Sequence, residues 1–180
     1  WNRWFLDAIV NGDVDEDFDE TIGPKDRHAD PTLRGRADYL GINYYGVSQV
    51  SSRALQLPFM GAQPAQFELQ DGRPKNDLGW SIYPEGFGVV LDQAATYGLP
   101  IVITENGIAD ALDVTRSRFL LAHAFQVGLA IDRGVDVRGY FHWALMDNFE
   151  WESGYCPRFG LYAVDMSDPA RPRAATKAVS

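Results

Sequence analysis

Hydrophobic positions gather in three short runs, and each run gives way to polar or glycine-rich residues. They are Tyr39-Leu40-Gly41-Ile42-Asn43-Tyr44-Tyr45, Pro100-Ile101-Val102-Ile103-Thr104-Glu105-Asn106-Gly107 and Val137-Arg138-Gly139-Tyr140-Phe141-His142-Trp143-Ala144-Leu145. All three are rich in β-branched and aromatic residues and do not alternate cleanly, which predicts strands of a buried parallel sheet. Helical spacing fills the gaps. Pro84 suits the first turn of a helix that runs to Tyr97 and stops at Gly98. Over residues 114 to 133, Phe119, Leu120, His123, Val127, Ala130 and Ile131 recur at three and four, with Asp113 or Thr115 placed to cap the start and Gly134 to close the end. Strand, helix, strand, helix, strand is the pattern of an α/β fold. The chain is expected to form a single domain over residues 1–180.

Two stretches break this rhythm. Residues 11 to 37 are rich in Asp and carry a Gly-Pro pair, so a surface loop with some helix is expected. Residues 55 to 79 hold Pro58, Gly61, Pro64, Gly72 and Pro74, which predicts a long excursion with a hairpin. Long loops in compact domains often carry function. There is no internal repeat, no low-complexity tract and no nucleotide-binding glycine fingerprint.

Composition narrows the partners. At 180 residues, 46% hydrophobic and 23% charged, the chain is globular and not disordered. Its net charge of −9 offers no basic patch for a phosphate backbone or an anionic membrane. No apolar run approaches the roughly 18 residues of a membrane span. The lone Cys156 excludes an internal disulfide and a cysteine-based zinc cluster, and permits a reducing, cytoplasmic setting. No metal or cofactor is expected. Aromatic residues make up 13%, and many stand beside carboxylates and Asn. Ring faces next to acceptors suit sugars, and they equally suit an ordinary core.

Candidate chemistry lies at the strand ends. In barrels of parallel strands these ends point their side chains at the active site. Asn43 and Tyr45 close the first run, Glu105 and Asn106 the second, and Trp143 the third. Glu105 follows Ile-Val-Ile-Thr directly, at the mouth of a buried strand, where a carboxylate needs partners. It reads either as a reacting group or as a capping, salt-bridging Glu.

A wider pattern bears on that choice. Ile103-Thr104-Glu105-Asn106-Gly107 resembles the nucleophile signature of family 1 glycoside hydrolases, the retaining β-glucosidases and their relatives. The stretch from Tyr140 to Trp151, followed by Gly154-Tyr155 and Arg158-Phe159-Gly160, resembles that family's last strand and sugar-binding loop. Asp38 to Tyr45 resembles its strand-six motif, and Gly79 to Gly86 and Phe5-Leu6-Asp7 also fit. The motifs keep the family's order over nearly the whole chain. The resemblance implies a partial TIM (β/α)8 barrel: strands six to eight with their helices. It implies Glu105 as the nucleophile that forms a glycosyl-enzyme, and Tyr45 as the hydroxyl donor to that carboxylate. Asn43 matches a polar residue of the same subsite, and Trp143 the platform under the sugar ring. Glu150 matches the acceptor of the 4- and 6-hydroxyls, Trp151 the indole on the 3-hydroxyl, and Phe159 a wall of the subsite. The implied substrate is a β-linked oligosaccharide or an aryl or alkyl β-glycoside. Tyr44 and Phe149 read as packing residues, His142 as a satisfied histidine, and Asp147 and Asn148 as braces of the loop.

One half of that chemistry is absent. The family's acid/base is a Glu in an Asn-Glu-Pro motif on strand four. None of the seven glutamates here, at 16, 20, 68, 85, 105, 150 and 152, has that context. Glu150 and Glu152 have nothing in the sequence to set them opposite Glu105. Cys156-Pro157 stands where the family usually has a polar or basic pair. The Trp1 start and the stop at Ser180, at the beginning of the family's final helix, are both expected to be cut edges. A reading of another class therefore stands beside the enzyme: a non-catalytic sugar-binding or assembly fragment that needs a partner, which is either the missing N-terminal half or a second copy.

Overall fold

The computed structural model describes residues 3–19, 21–47, 50–51, 63–64 and 72–179. A helical turn, α1 (Trp4–Leu6), continues into one π-helical turn over Asp7–Asn11. β1 (Leu40–Tyr44) follows, then the two-residue strands β2 (Val50–Ser51) and β3 (Gln63–Pro64). Next come α2 (Pro84–Ala95), β4 (Ile101–Asn106), α3 (Arg116–Asp132) and β5 (Val137–His142). A 3-10 turn at Trp151–Ser153 precedes β6 (Tyr162–Val164) and β7 (Arg173–Ala175). Strands β1, β4 and β5 form one sheet in that order, all parallel. β2 with β3, and β6 with β7, form two small antiparallel pairs.

The three predicted strands are the three parallel strands. Of the antiparallel pair β2–β3, only β3 lies within the excursion over residues 55 to 79, because its partner at 50–51 precedes it. Most of that excursion lies outside the described residues. The expected helix within residues 11 to 37 is not found among the described residues. Helix ends at Asn11, and the acidic stretch is held by Asx-type contacts, such as Asp26 accepting from the Glu16 and Gly23 amides.

Burial alternates along β1. Leu40, Ile42 and Tyr44 are buried, whereas Gly41 and Asn43 are exposed. The buried set packs with Ile101 and Ile103 of β4 against Phe87, Leu91 and Ala94 of α2 and Ala130 of α3. Both helices therefore cover the same face. The expectation of a sheet buried on both sides is corrected: Asn43, Thr104 and Phe141 stay exposed, because no described element covers the second face. Helices on one side of strands that neighbour in chain order form a singly wound arrangement, unlike a doubly wound sheet.

Helix ends follow local chemistry, with one correction. Pro84 occupies the first turn of α2, and Gly98 (φ +69°) takes the left-handed conformation beyond its end. The N-terminus of α3 is capped by neither Asp113 nor Thr115. Asp110 accepts from the amides of Val114, Thr115 and Arg116 at 3.3, 2.7 and 2.8 Å. Its carboxyl is held below the usual range by these amides and by the Arg116 charge, although burial opposes the shift. The turn of Asp113, at φ +52°, brings the earlier Asp round to the helix.

Candidate active site

Three strand ends meet at one edge of the sheet. Tyr45 lies just past β1, Glu105 is the penultimate residue of β4, and Trp143 directly follows β5. The ladder is irregular here. Its register shifts between Ile42 and Asn43, and again between Ile103 and Asn106, and Asn43 pairs with Glu105.

At this edge Tyr45 Oη donates to Glu105 Oε2 at 2.6 Å. Burial raises the Tyr45 phenol well above its ordinary value. The bond to Glu105 and the charges of Glu105 and Glu150 raise it further. The phenol therefore keeps its proton and donates at any ordinary pH. Its ring meets Trp80 edge-on at 5.8 Å and Phe159 edge-on at 6.0 Å. Phe159 is 2% exposed and Trp80 44%. Phe159 thus stands behind Tyr45, and Trp80 presents the more open surface.

A second carboxylate stands nearby. Glu150 Oε1 accepts from Trp143 Nε1 at 3.2 Å, which fixes the indole relative to the loop. Trp151 next to it is 82% exposed, at φ +49°. Phe149 is exposed as well and touches Tyr155 edge-on at 5.4 Å, so its expected packing role is corrected. Asn43 is exposed, and its Oδ1 accepts from Thr104 Oγ1 at 2.6 Å. Of the sequence-predicted residues, Tyr45 contacts both Glu105 and Phe159, and Trp143 contacts Glu150. The Asn43 side chain bonds to Thr104 instead, although its backbone pairs with Glu105, and Trp151 adjoins Glu150 in the chain.

The loop is braced at its root. Asp147, buried, accepts from the amides of Gly160 and Val164 and from Arg158 Nη1. This is the bracing role expected of it. No motif marks Arg116, which is 2% exposed and acts as a hub. Its guanidinium donates to the carbonyls of Ile108, Asp110, Arg158 and Phe159 at 2.6–3.1 Å. It thereby ties the loop after β4 to the loop after β5. A cation at the start of a helix runs against the macrodipole, and that mismatch is the only signal that could have flagged it.

His142 departs from expectation. Neither ring nitrogen has a hydrogen-bond partner among the described residues. Burial, aided by the Arg116 charge, pushes its pKa down to about 4, while the nearby Asn106 and Phe159 backbone opposes the shift from outside hydrogen-bond geometry. As for metals, the carboxylates of Asp15, Asp17 and Asp19 cluster in the loop after α1, apart from the strand ends. Exposed acidic groups of this kind are common without an ion.

The match to known proteins is continuous. The family model described as glycosyl hydrolase family 1 matches residues 1–180. The chain belongs to glycosyl hydrolase family 1. The β-galactosidase of Sulfolobus acidocaldarius is 41% identical over 170 residues, covering 91% of this chain and 33% of that protein. Beta-glucosidase 24 of Oryza sativa subsp. japonica is 33% identical over 191 residues, covering 92% of this chain and 38% of its own length. Among solved structures, the β-glucosidase of Thermotoga maritima in complex with castanospermine superposes with a TM-score of 0.78 at 32% identity. That match covers 98% of this chain and 41% of the other. The β-glycosidase of Pyrococcus horikoshii gives 0.75 at 38% identity, covering 98% and 38%. The chain thus spans 33% and 38% of the length of these two curated relatives. Among the described residues, no helix is long and apolar enough to cross a membrane.

Proposed function

We propose that this chain is the nucleophile-bearing part of a retaining β-glycosidase, and that its three parallel strands are strands six to eight of a (β/α)8 barrel. The observation that carries the reading is the 2.6 Å contact from Tyr45 to Glu105 at the strand ends. A carboxylate held by one phenol, with no hydrogen bond to its other oxygen among the described residues, is suited to attack an anomeric carbon. Attack forms a bond from a Glu105 oxygen to that carbon as the leaving oxygen departs, and water later releases the sugar. Tyr45 keeps Glu105 in line throughout.

The remaining residues form one side of a sugar site. Trp143 supplies a platform, and Glu150 accepts hydroxyl protons while holding that indole. Trp151 and Asn43 reach further hydroxyls, and Phe159 closes the wall behind Tyr45. The substrate is a β-linked oligosaccharide or simple β-glycoside. Glu150 would repel a 6-phosphate, which disfavours phosphorylated sugars. Retaining chemistry needs a second carboxyl about 5–5.5 Å from the first to protonate the leaving group. That acid/base must come from outside residues 1–180. The whole of 1–180 forms one domain in this reading. The exposed lone Cys156 fits a cytoplasmic setting.

One observation favours a second reading, a sugar-binding or assembly fragment acting through a partner chain. The sheet face bearing Asn43, Thr104 and Phe141 is uncovered, and the outer edges of β1 and β5 have no strand partner among the described residues. The test is mechanism-based labelling. A 2-fluoroglycoside with a good leaving group, given to this chain together with the complementary half of the barrel, is expected to attach to Glu105, as read by peptide mass mapping. Attachment elsewhere overturns the assignment. Sugar binding without label, by a chain that has taken up a partner, supports the second reading.

A further inference from the structure

The structure assigns Asn106 as the positioning residue that sets the Tyr45–Glu105 contact, an inference that rests on the proposed role of Glu105. Asn106 is fully buried and directly follows Glu105 at the end of β4. It ends β4 and its side chain bonds to both neighbouring strands, just past the point where the register shifts. Its Nδ2 donates to the Tyr44 carbonyl of β1 at 2.6 Å. Its Oδ1 accepts from Tyr140 Oη of β5 at 2.7 Å. Its backbone carbonyl accepts from the Trp143 amide at 3.0 Å. The carbonyl of Tyr44 only accepts, so the amide orientation is fixed, and the Tyr140 hydroxyl must donate. Burial raises the Tyr140 phenol to about 12, so that proton stays in place.

The three anchored groups are the immediate neighbours of the site. Tyr44 precedes Tyr45, Asn106 follows Glu105, and Trp143 carries the platform ring. The register shifts on both sides of β4 just before this level, and pairing resumes with Tyr44 and His142 opposite Asn106. One side chain locks that resumed register, and it does so within one residue of both members of the 2.6 Å contact. Other contacts brace the same neighbourhood without joining all three strands: Tyr44 Oη donates to the Tyr83 carbonyl, and its ring stacks on Phe87. Asn106 touches neither substrate nor the reacting atoms and acts only through Tyr44–Tyr45 and Glu105.

The experiment reads the Tyr45 hydroxyl proton by NMR in the 180-residue chain and needs no substrate. Tyr45→Phe identifies the resonance. Asn106→Asp keeps the acceptor for Tyr140 but sets an acceptor against the Tyr44 carbonyl. It is expected to speed exchange of the Tyr45 proton with water by roughly five- to tenfold, the scale of one net hydrogen bond. Tyr140→Phe removes a single hydroxyl and is expected to act in the same direction more weakly. It also decides the matter if Asn106→Asp does not fold. Asn106→Gln, with the same groups one methylene further out, is expected not to restore the slow exchange. An unchanged Tyr45 proton in folded Asn106→Asp, or in Tyr140→Phe if the Asp variant is unfolded, overturns the assignment. Failure of Glu105 to label in the mechanism-based experiment would remove the enzymatic role and leave this readout intact.

Discussion

The strand-end edge and the loop over residues 149–155 are built on opposite terms. At the edge, Glu105, Tyr45 and Asn106 are tied by hydrogen bonds of 2.6–3.0 Å and backed by the buried ring of Phe159. In the loop, Phe149, Trp151 and Tyr155 turn their rings to solvent, and Trp151 is 82% exposed. A reacting carboxylate must be held to a fraction of an ångström, and that requires low dielectric and many partners. A sugar-binding ring needs only an open face, and its contacts are completed by ligand. The edge therefore stores its function in geometry, and the loop stores it in exposed surface.

Substitutions separate the two regions, the largest effects coming from the edge. Glu105→Gln should lower turnover of the assembled enzyme by at least about 10⁴-fold, the scale of losing a covalent nucleophile, with the thermal midpoint little changed. Steady-state kinetics and thermal melts read both, and near-normal turnover would break the comparison at its centre. Asp147→Ala should cost about 3 kcal/mol, because it leaves Arg158 and two buried amides without their acceptor. Urea unfolding measures this, and a loss below about 1 kcal/mol would mean that the loop is as free at its root as at its tip.

The buried imidazole supplies a pH arm. His142 is pushed down to about 4 in the folded protein, from 6.5 in its absence. A folded value below the unfolded one means that protonation favours unfolding. Its stabilisation is complete above pH 6.5 and is lost as pH falls towards 4, by roughly 3 kcal/mol at most. His142→Gln should flatten that part of the stability–pH curve, as read by urea titrations at a series of pH values. A slope identical to wild type would remove His142 from the account.

Tyr45→Phe should cost about ten- to a hundredfold in kcat/KM, the scale of a hydrogen bond to a charged group, with little change in KM. A rise in KM alone would recast Tyr45 as a binding residue. Trp151→Ala should do the reverse. Its exposure predicts a stability change within about 0.5 kcal/mol and a higher KM. A drop in thermal midpoint there would show the loop to be structurally coupled to the edge.

The legible part of the fold was its local part. Ile101 to Asn106 has the apolar density of a buried strand, Pro84 and Gly98 bracket α2, and Phe119, His123 and Ala130 trace the buried stripe of α3. Each signal is carried within a few residues, so it survives without knowledge of the rest. The cap of α3 was misread because Asp110 reaches its amides only after Asp113 turns the chain back. Phe149 was misread because apolar character does not reveal which apolar residues the loop leaves outside. Among site residues, Glu105 and Tyr45 were marked by motif, but sequence contains no distance between residues 60 positions apart.

The sequence by itself determined the family, the three parallel strands, the two helices and the residue types at the strand ends, because these follow from patterns of neighbouring side chains. Only the tertiary structure decided that Tyr45 meets Glu105, that Asn106 joins three strands, that Arg116 ties two loops and that the ring nitrogens of His142 are buried with no partner among the described residues. Those facts depend on strand register and on which groups exclude water together, and both are properties of the packed chain.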